Sequence, residues 1–404
     1  MRDVAELLRA LVGTPSVNPR DGAHPGEAAV AALVRDWLAA RGIRAELHEA
    51  LPGRPNVVAV VPGQDPRAVL LESHLDTVEV AGMTVDPYAG EVRDGRLYGR
   101  GACDAKGALA AFLLALEALA AGPVPPHTVI LAGVVDEEYR YRGVLHLLDH
   151  LLGHPPVANS LPGANSLPGA NSVPGANWLP GGKVIGAVVG EPTDLAPATA
   201  HKGVVRYTVR TLGEAGHTSR PAEAVNAVTL MNRVLSHLDA TPPAVPDHPM
   251  LGAATRCVTR IHGGTGPNIV PGRCEIDVDR RTLPGEDPLV VWREEGNELT
   301  AVLPGRVEVD QPFNVDYALD TPAASPVVAA LRGALAGRGL DPTVRGMPFC
   351  TDASKLARAG IPAVVFGPGS ILDAHAADES VALADVRRAA DVVTDAVRHL
   401  GRSS

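Results

Sequence analysis

Three apolar runs in this chain each end in a histidine or in carboxylates: AVLLESH at 68–74, HTVILAGVVDEE at 127–138 and KVIGAVVGE at 183–191. Such runs do not alternate, so they suit strands covered on both faces rather than strands with one face in water. A fourth segment, IPAVVFGPGS at 361–370, reads as a buried strand entering a Gly-rich loop. NVVAVV at 56–61 is a further short strand. Among them, residues 106–121 (KGALAAFLLALEALAA) are nearly all strong helix formers, and helical patterns also cover 27–41 and 384–400. Strand, helix and strand in this order predict an α/β fold with helices on both faces of one sheet.

From about residue 198 the pattern changes. VVRYTVRTLG alternates, 222–238 is helical, and 255–261 reads as a strand. CEIDVDRRTLPG at 274–285 alternates with Ile276, Val278 and Arg280 on one face. Two helices and about four strands predict a separate α+β unit at 198–310, inserted between segments 1–197 and 311–404 of the main unit. Residues 158–181 repeat a hexapeptide four times, ANSLPG, ANSLPG, ANSVPG and ANWLPG. A Pro-Gly turn in every unit of six leaves nothing to bury, so this segment reads as an exposed, mobile insertion.

Composition narrows the function. Aromatics are 3% of residues, the formal net charge is −10, and no long Lys/Arg run occurs. Nucleic acid is therefore not an expected partner. No run of about 18 uncharged apolar residues marks a membrane span. Val4, Leu7, Leu8 and Leu11 share one face of an N-terminal amphipathic helix that charges interrupt, unlike a secretion signal. The cysteines, Cys103, Cys257, Cys274 and Cys350, form no C-x-x-C pair, and reduced thiols in the cytoplasm are expected.

The chemistry sits where the apolar runs stop. His74 ends one strand, and Asp76, two residues on, shares its face and can hold the imidazole. Asp104 lies in the Gly-flanked turn LYGRGACDAKG before a helix, where capping alone would also explain it. Asp136, Glu137 and Glu138 crowd one strand end and repel one another unless cations compensate. Glu191 ends another run, and His375 follows the Gly-rich loop. Taken singly, each has a plain structural explanation. Together, three strand ends, one turn and one loop deliver two His and three carboxylates, a donor set for Zn²⁺, Co²⁺ or Mn²⁺. One carboxylate can bridge two such ions, and the spare Glu137 can then activate water and return its proton to the leaving nitrogen.

SHLDTV, GRGACDAKG, DEE, GEPT and AHAADES, in this order, resemble the M20 family of metallopeptidases and deacylases. The resemblance implies a mixed-sheet, zinc-exopeptidase-like catalytic unit with an inserted dimerisation (lid) domain, and two divalent ions, Zn²⁺ first. It implies His74 and Glu191 on one metal, Glu138 and His375 on the other, and Asp104 bridging. Glu137 would be the general base and Asp76 the residue that orients His74. It also implies a cis peptide after Asp104. AGHTSRPAEAVNAV resembles the signature of the dimerisation domain, which implies a homodimer with His217 reaching the partner subunit's site. GTGPNIVPG and DVDRRTLPG point to Asn268 and Arg281 as substrate contacts, and Gly369 with Ser370 would meet a substrate carboxylate. Cys350-Thr351-Asp352 and GPGSI resemble the acetylornithine deacetylase branch. The substrate so implied is a small N-acyl amino acid, N-acetylornithine or a lysine analogue. A desuccinylase, a dipeptidase or carboxypeptidase, and a catalytically silent metal-binding protein stay open.

Overall fold

The computed structural model describes residues 2–20, 24–151, 153 and 183–400. The hexapeptide repeat, and the expectation about it, lie outside the described residues. The large sheet has nine strands. Eight of them lie in the order Ala45–Leu51, Arg54–Val61, His127–Val134, Asp65–His74, Val184–Val189, Ala363–Val365, Ala198–His201 and Leu319–Asp320. The ninth, Arg345–Met347, pairs beside Ala198–His201. The four strands from His127–Val134 to Ala363–Val365 are parallel, and antiparallel strands flank them, which makes the sheet mixed.

The apolar runs are explained by burial on both faces. Successive residues of Asp65–His74 point to opposite sides: Val69 and Leu71 join one core, Ala68 and Leu70 the other. The first core also takes helices Arg2–Val12, Ala28–Ala39, Lys106–Ala121, Pro326–Gly337 and Leu383–His399. The second takes the short helices Arg142–His146 and Ala353–Arg358. Lys106–Ala121 begins and ends where the sequence predicts, and its small residues let it lie flat between the sheet and Leu383–His399. Val4, Leu7, Leu8 and Leu11 are buried, as the amphipathic pattern requires.

The second sheet has five antiparallel strands. The order is Thr255–Gly263, Arg273–Thr282, Gly203–Leu212 and Val307–Val309, with Asn314–Asp316 also on Gly203–Leu212. Helices Ala227–Ala240 and Pro288–Val302 cover one face through Val205, Tyr207, Ile276 and Val278. Arg280 shares that face and is buried because Glu286 and Glu295 pair with it.

Four details differ from the sequence reading. The helix expected at 222–238 starts at Ala227, because Asn226 caps it by accepting the N–H groups of Val228 and Thr229. In segment 361–370, read as a strand entering a Gly-rich loop, the strand itself is only the three residues Ala363–Val365, and the loop follows at once. The inserted sheet has five strands, not four. It runs from Gly203 to Asp316, whereas 198 and 310 are the limits expected from sequence; Ala198–His201 pairs with Leu319–Asp320 and stays in the large sheet. Among the described residues no helix is long and apolar enough to cross a membrane.

Candidate metal centre

The parallel strands end together, at Val134, His74, Val189 and Val365. Loops at that edge of an open α/β sheet converge on one place. His74 is the last residue of its strand, Glu138 and Glu191 follow theirs closely, and His375 comes from the loop after Ala363–Val365. Asp104 lies in the turn that precedes Lys106–Ala121. That turn needs a glycine at Gly101 (φ +81°), where a Cβ would meet Thr77 Cγ2 at 2.8 Å. The Asp104–Ala105 peptide is cis.

The five side chains meet in two groups that share Asp104: His74, Asp104 and Glu191, and Asp104, Glu138 and His375. In each group the ligand atoms lie within 4.8 Å of one another. His74 Nε2 is 3.0 Å from Asp104 Oδ1 and 3.9 Å from Glu191 Oε1. His375 Nε2 is 3.1 Å from Asp104 Oδ2 and 3.1 Å from Glu138 Oε1. Donor atoms on one ion with bonds of about 2.0–2.2 Å sit roughly 3–4 Å apart, so the set needs little movement to bind.

The electrostatics fit a cation as well. Among the described residues no Lys or Arg pairs with the carboxylates of Asp104, Glu137, Glu138 or Glu191. Burial, then the charge of Asp104, raises the Glu191 carboxyl well above the usual range. Burial, then Glu191, does the same to Glu137, and burial raises Glu138. The hydrogen bonds that Asp104 and Glu138 accept from its ring lift His375 to about 10. At His74 burial pulls downward, but Asp104, Asp76 and Glu191 prevail and raise it. Burial opposes ionisation of Asp104, yet its bonds to His375 and His74 hold it well below the carboxylate range. Without ions, protons take the place of the missing positive charge. Ligation would displace those on the imidazoles, so ion uptake would release protons.

Asp76 does more than the role expected of it. His74 Nδ1 is 3.0 Å from the Asp76 carbonyl oxygen and 3.6 Å from its carboxylate, so the carbonyl is the nearer partner. The carboxylate instead accepts the Glu137 and Glu138 N–H groups, at 3.1 Å each, and Asn18 Nδ2 at 2.7 Å. Behind it, Arg54 and Arg142 pair with Asp136, whose φ of +67° turns the chain so that both glutamates follow. Glu27 closes this buried network by pairing with Arg54 and accepting the Asp136 N–H.

The proposed substrate contacts belong to neither donor group. His217 and Asn268 are exposed at a two-stranded ribbon, Gly216–His217 with Ile269–Val270; His217 Nδ1 accepts the Ser219 N–H. Arg281 binds Asp279 through Nε and Nη2, while Nη1 lies 4.0 Å from Cys350 Sγ on the other unit. Gly369 (φ +83°) leaves no room for a side chain, because a Cβ would lie 2.6 Å from Cys103 Sγ. The Ser370 carbonyl accepts Cys103 Sγ, and its hydroxyl is 3.5 Å from the Leu372 N–H.

Sequence reasoning passed over Glu72 and Asp352. Both are buried at 1% exposure, and their carboxylate oxygens have no hydrogen-bond partner among the described residues. Burial pushes Asp352 up to about 7. Glu72 was legible as the residue two before His74, hence on its side of the strand. Asp352 stood in the Cys350-Thr351-Asp352 motif without a role. Asn18, Glu27 and Arg54 gave no signal, because their partners are distant in sequence.

A family model described as peptidase family M20/M25/M40 matches residues 70–399. The chain belongs to this family. As an M20 protein it is a metallohydrolase acting on amide or peptide bonds. Its fold is shared by a tripeptidase from Staphylococcus aureus at 20% identity and a TM-score of 0.76, over 100% of this chain and 99% of that one. An M20 family metallo-carboxypeptidase from Sulfolobus solfataricus matches at 18% and 0.76, over 99% of each chain. A dinuclear metal-binding M20 peptidase from Bacillus subtilis matches at 16% and 0.70, over 99% and 98%. At these identities the likeness establishes the M20 fold of a catalytic unit with an inserted domain.

Proposed function

We propose that the protein hydrolyses the amide bond of an N-acyl amino acid, with Glu137 as the base. His74, Asp104 and Glu191 would hold one divalent ion, and Asp104, Glu138 and His375 a second. Zn²⁺ suits these donors first, and Co²⁺ or Mn²⁺ are accepted by the same set. When bound, such ions polarise the scissile carbonyl and make water more acidic. Asp76 orients His74 and, through two N–H groups, the Glu137–Glu138 turn.

The observation that carries this reading is the position of Glu137. It shares a loop with Glu138 and feels the charges of Glu191 and His74, yet belongs to neither donor group. A carboxylate with a raised pKa beside the donor set is suited to take a proton from the attacking water and give it to the leaving nitrogen. A catalytically silent binding protein has no use for it.

The substrate class follows less directly. Arg281, between Asp279 and Cys350, is suited to a substrate carboxylate. The motifs around Cys350 and Ser370 favour N-acetylornithine or N-acetyllysine. The second reading is a peptidase of short peptides, favoured by fold relatives that are a tripeptidase and a carboxypeptidase. A screen of the metal-loaded protein against N-acetylornithine, N-acetyllysine, N-succinyl-diaminopimelate, a dipeptide and a tripeptide separates them. The N-acetyl diamino acids are expected to be hydrolysed with the highest kcat/KM; preference for a peptide supports the second reading, and no hydrolysis of any removes both.

His217 fits a role in a second copy's site. It is exposed on its ribbon, and the nearby edge strand Thr255–Gly263 leaves Ile261 53% exposed. The expected result is a dimer by sedimentation at micromolar concentration, and a loss of about 10²-fold in kcat for His217→Ala. A fully active monomer would take His217 out of the mechanism.

A further inference from the structure

The loop that carries His375 and the turn that carries Asp104 are tied by one buried carboxylate. Glu379 is fully buried, four residues after His375. The Cys103 and Asp104 N–H groups both donate to its Oε1, at 2.9 and 3.0 Å. Arg100 Nη1 donates to Oε2 at 2.5 Å, and Arg100 Nε donates to the Glu79 carbonyl at 3.0 Å. The Gly99 N–H donates to the Glu379 carbonyl at 2.9 Å. Just beyond, Ser380–Ala382 pairs with Arg96–Tyr98, so the backbone register holds the two segments side by side.

We infer that Glu379 is a positioning residue that sets Asp104 and His375 at the spacing needed to share the second ion. The argument is one of reach. Asp104 serves both donor groups only if one oxygen faces His74 and the other His375. Its side chain can do so only while its backbone is held, and two N–H groups of the turn are spent on Glu379. His375 has a φ of +58° and an exposed side chain, so its own packing restrains it little. Glu379 anchors the segment from the far side. The first donor group keeps His74, the last residue of its strand, and Glu191, two residues past the end of another; Glu379 bonds to neither segment. Loss of the clamp should therefore weaken one ion more than the other. Supporting groups of this kind cost about 10–100-fold in metal affinity when removed.

This inference rests on the two-ion reading above, and the test separates the two. Metal-free wild type, Glu379→Ala and Glu379→Gln are titrated with Co²⁺, following visible absorption and heat, with far-UV circular dichroism and melting as controls of fold. Wild type is expected to take two equivalents. Glu379→Ala should bind the first nearly as wild type and the second about 10–100-fold more weakly. Glu379→Gln keeps a neutral acceptor for the two N–H groups and should fall between. An alanine variant that binds both equivalents as wild type overturns the inference, as does equal weakening of both, which marks a merely structural role. If the alanine variant does not fold, the glutamine variant decides: a selectively weaker second equivalent supports the clamp, and wild-type affinity overturns it. A wild type that binds no Co²⁺ sinks the two-ion reading instead.

Discussion

Glu137→Gln is expected to lower kcat for amide hydrolysis by about 10³-fold, inside the 10²–10⁴ range typical of a lost general acid–base group, while metal content and KM stay near wild type. The change is isosteric, and the Glu137 N–H that donates to Asp76 is untouched. The fold of the turn should survive because Asp136, Asn18 and the two arginines hold it. What disappears is a proton acceptor close to the donor groups. Rate measurements at saturating substrate with metal analysis of the same sample check this. A rate within threefold of wild type would mean that another group carries the proton, and Glu72 or Asp352 would be the first to test.

Asp104→Ala is expected to do more, because it removes a donor from both groups at once. Each group is then left with two side chains, too few to close around an ion. The variant should lose both ions on dialysis, and hydrolysis should fall by at least about 10⁴-fold. His375→Ala makes the contrast: it touches only the second group, so one ion should remain. Metal analysis after dialysis reads both. An Asp104→Ala protein that keeps two ions would remove Asp104 as the bridge.

How much of this was legible in the sequence depended on the range of each interaction. Strands buried on both faces betray themselves as unbroken apolar runs, so Asp65–His74 and His127–Val134 could be read directly. Lys106–Ala121 was equally plain, since helix formers fill it from end to end. The donors were visible because each follows such a run or a Gly-rich turn. The supports were not. Asn18 reaches Asp76 across 58 residues, and Glu379 reaches Asp104 across 275. No local pattern encodes such a pairing. The limits of the inserted unit blurred for a related reason: Ala198–His201 alternates no differently from the strand after it, and only its pairing with Leu319–Asp320 assigns it to the large sheet.

The central claim is that one aspartate joins two ions beside a free glutamate. Zinc titration of the metal-free wild-type protein, with hydrolysis followed at each addition, tests it most directly. The account predicts two equivalents bound per chain, with binding tightening as pH rises because His74 and His375 must give up their protons, and full activity reached only with ions present. A single equivalent giving full activity, or hydrolysis unchanged in the metal-free protein, would contradict it.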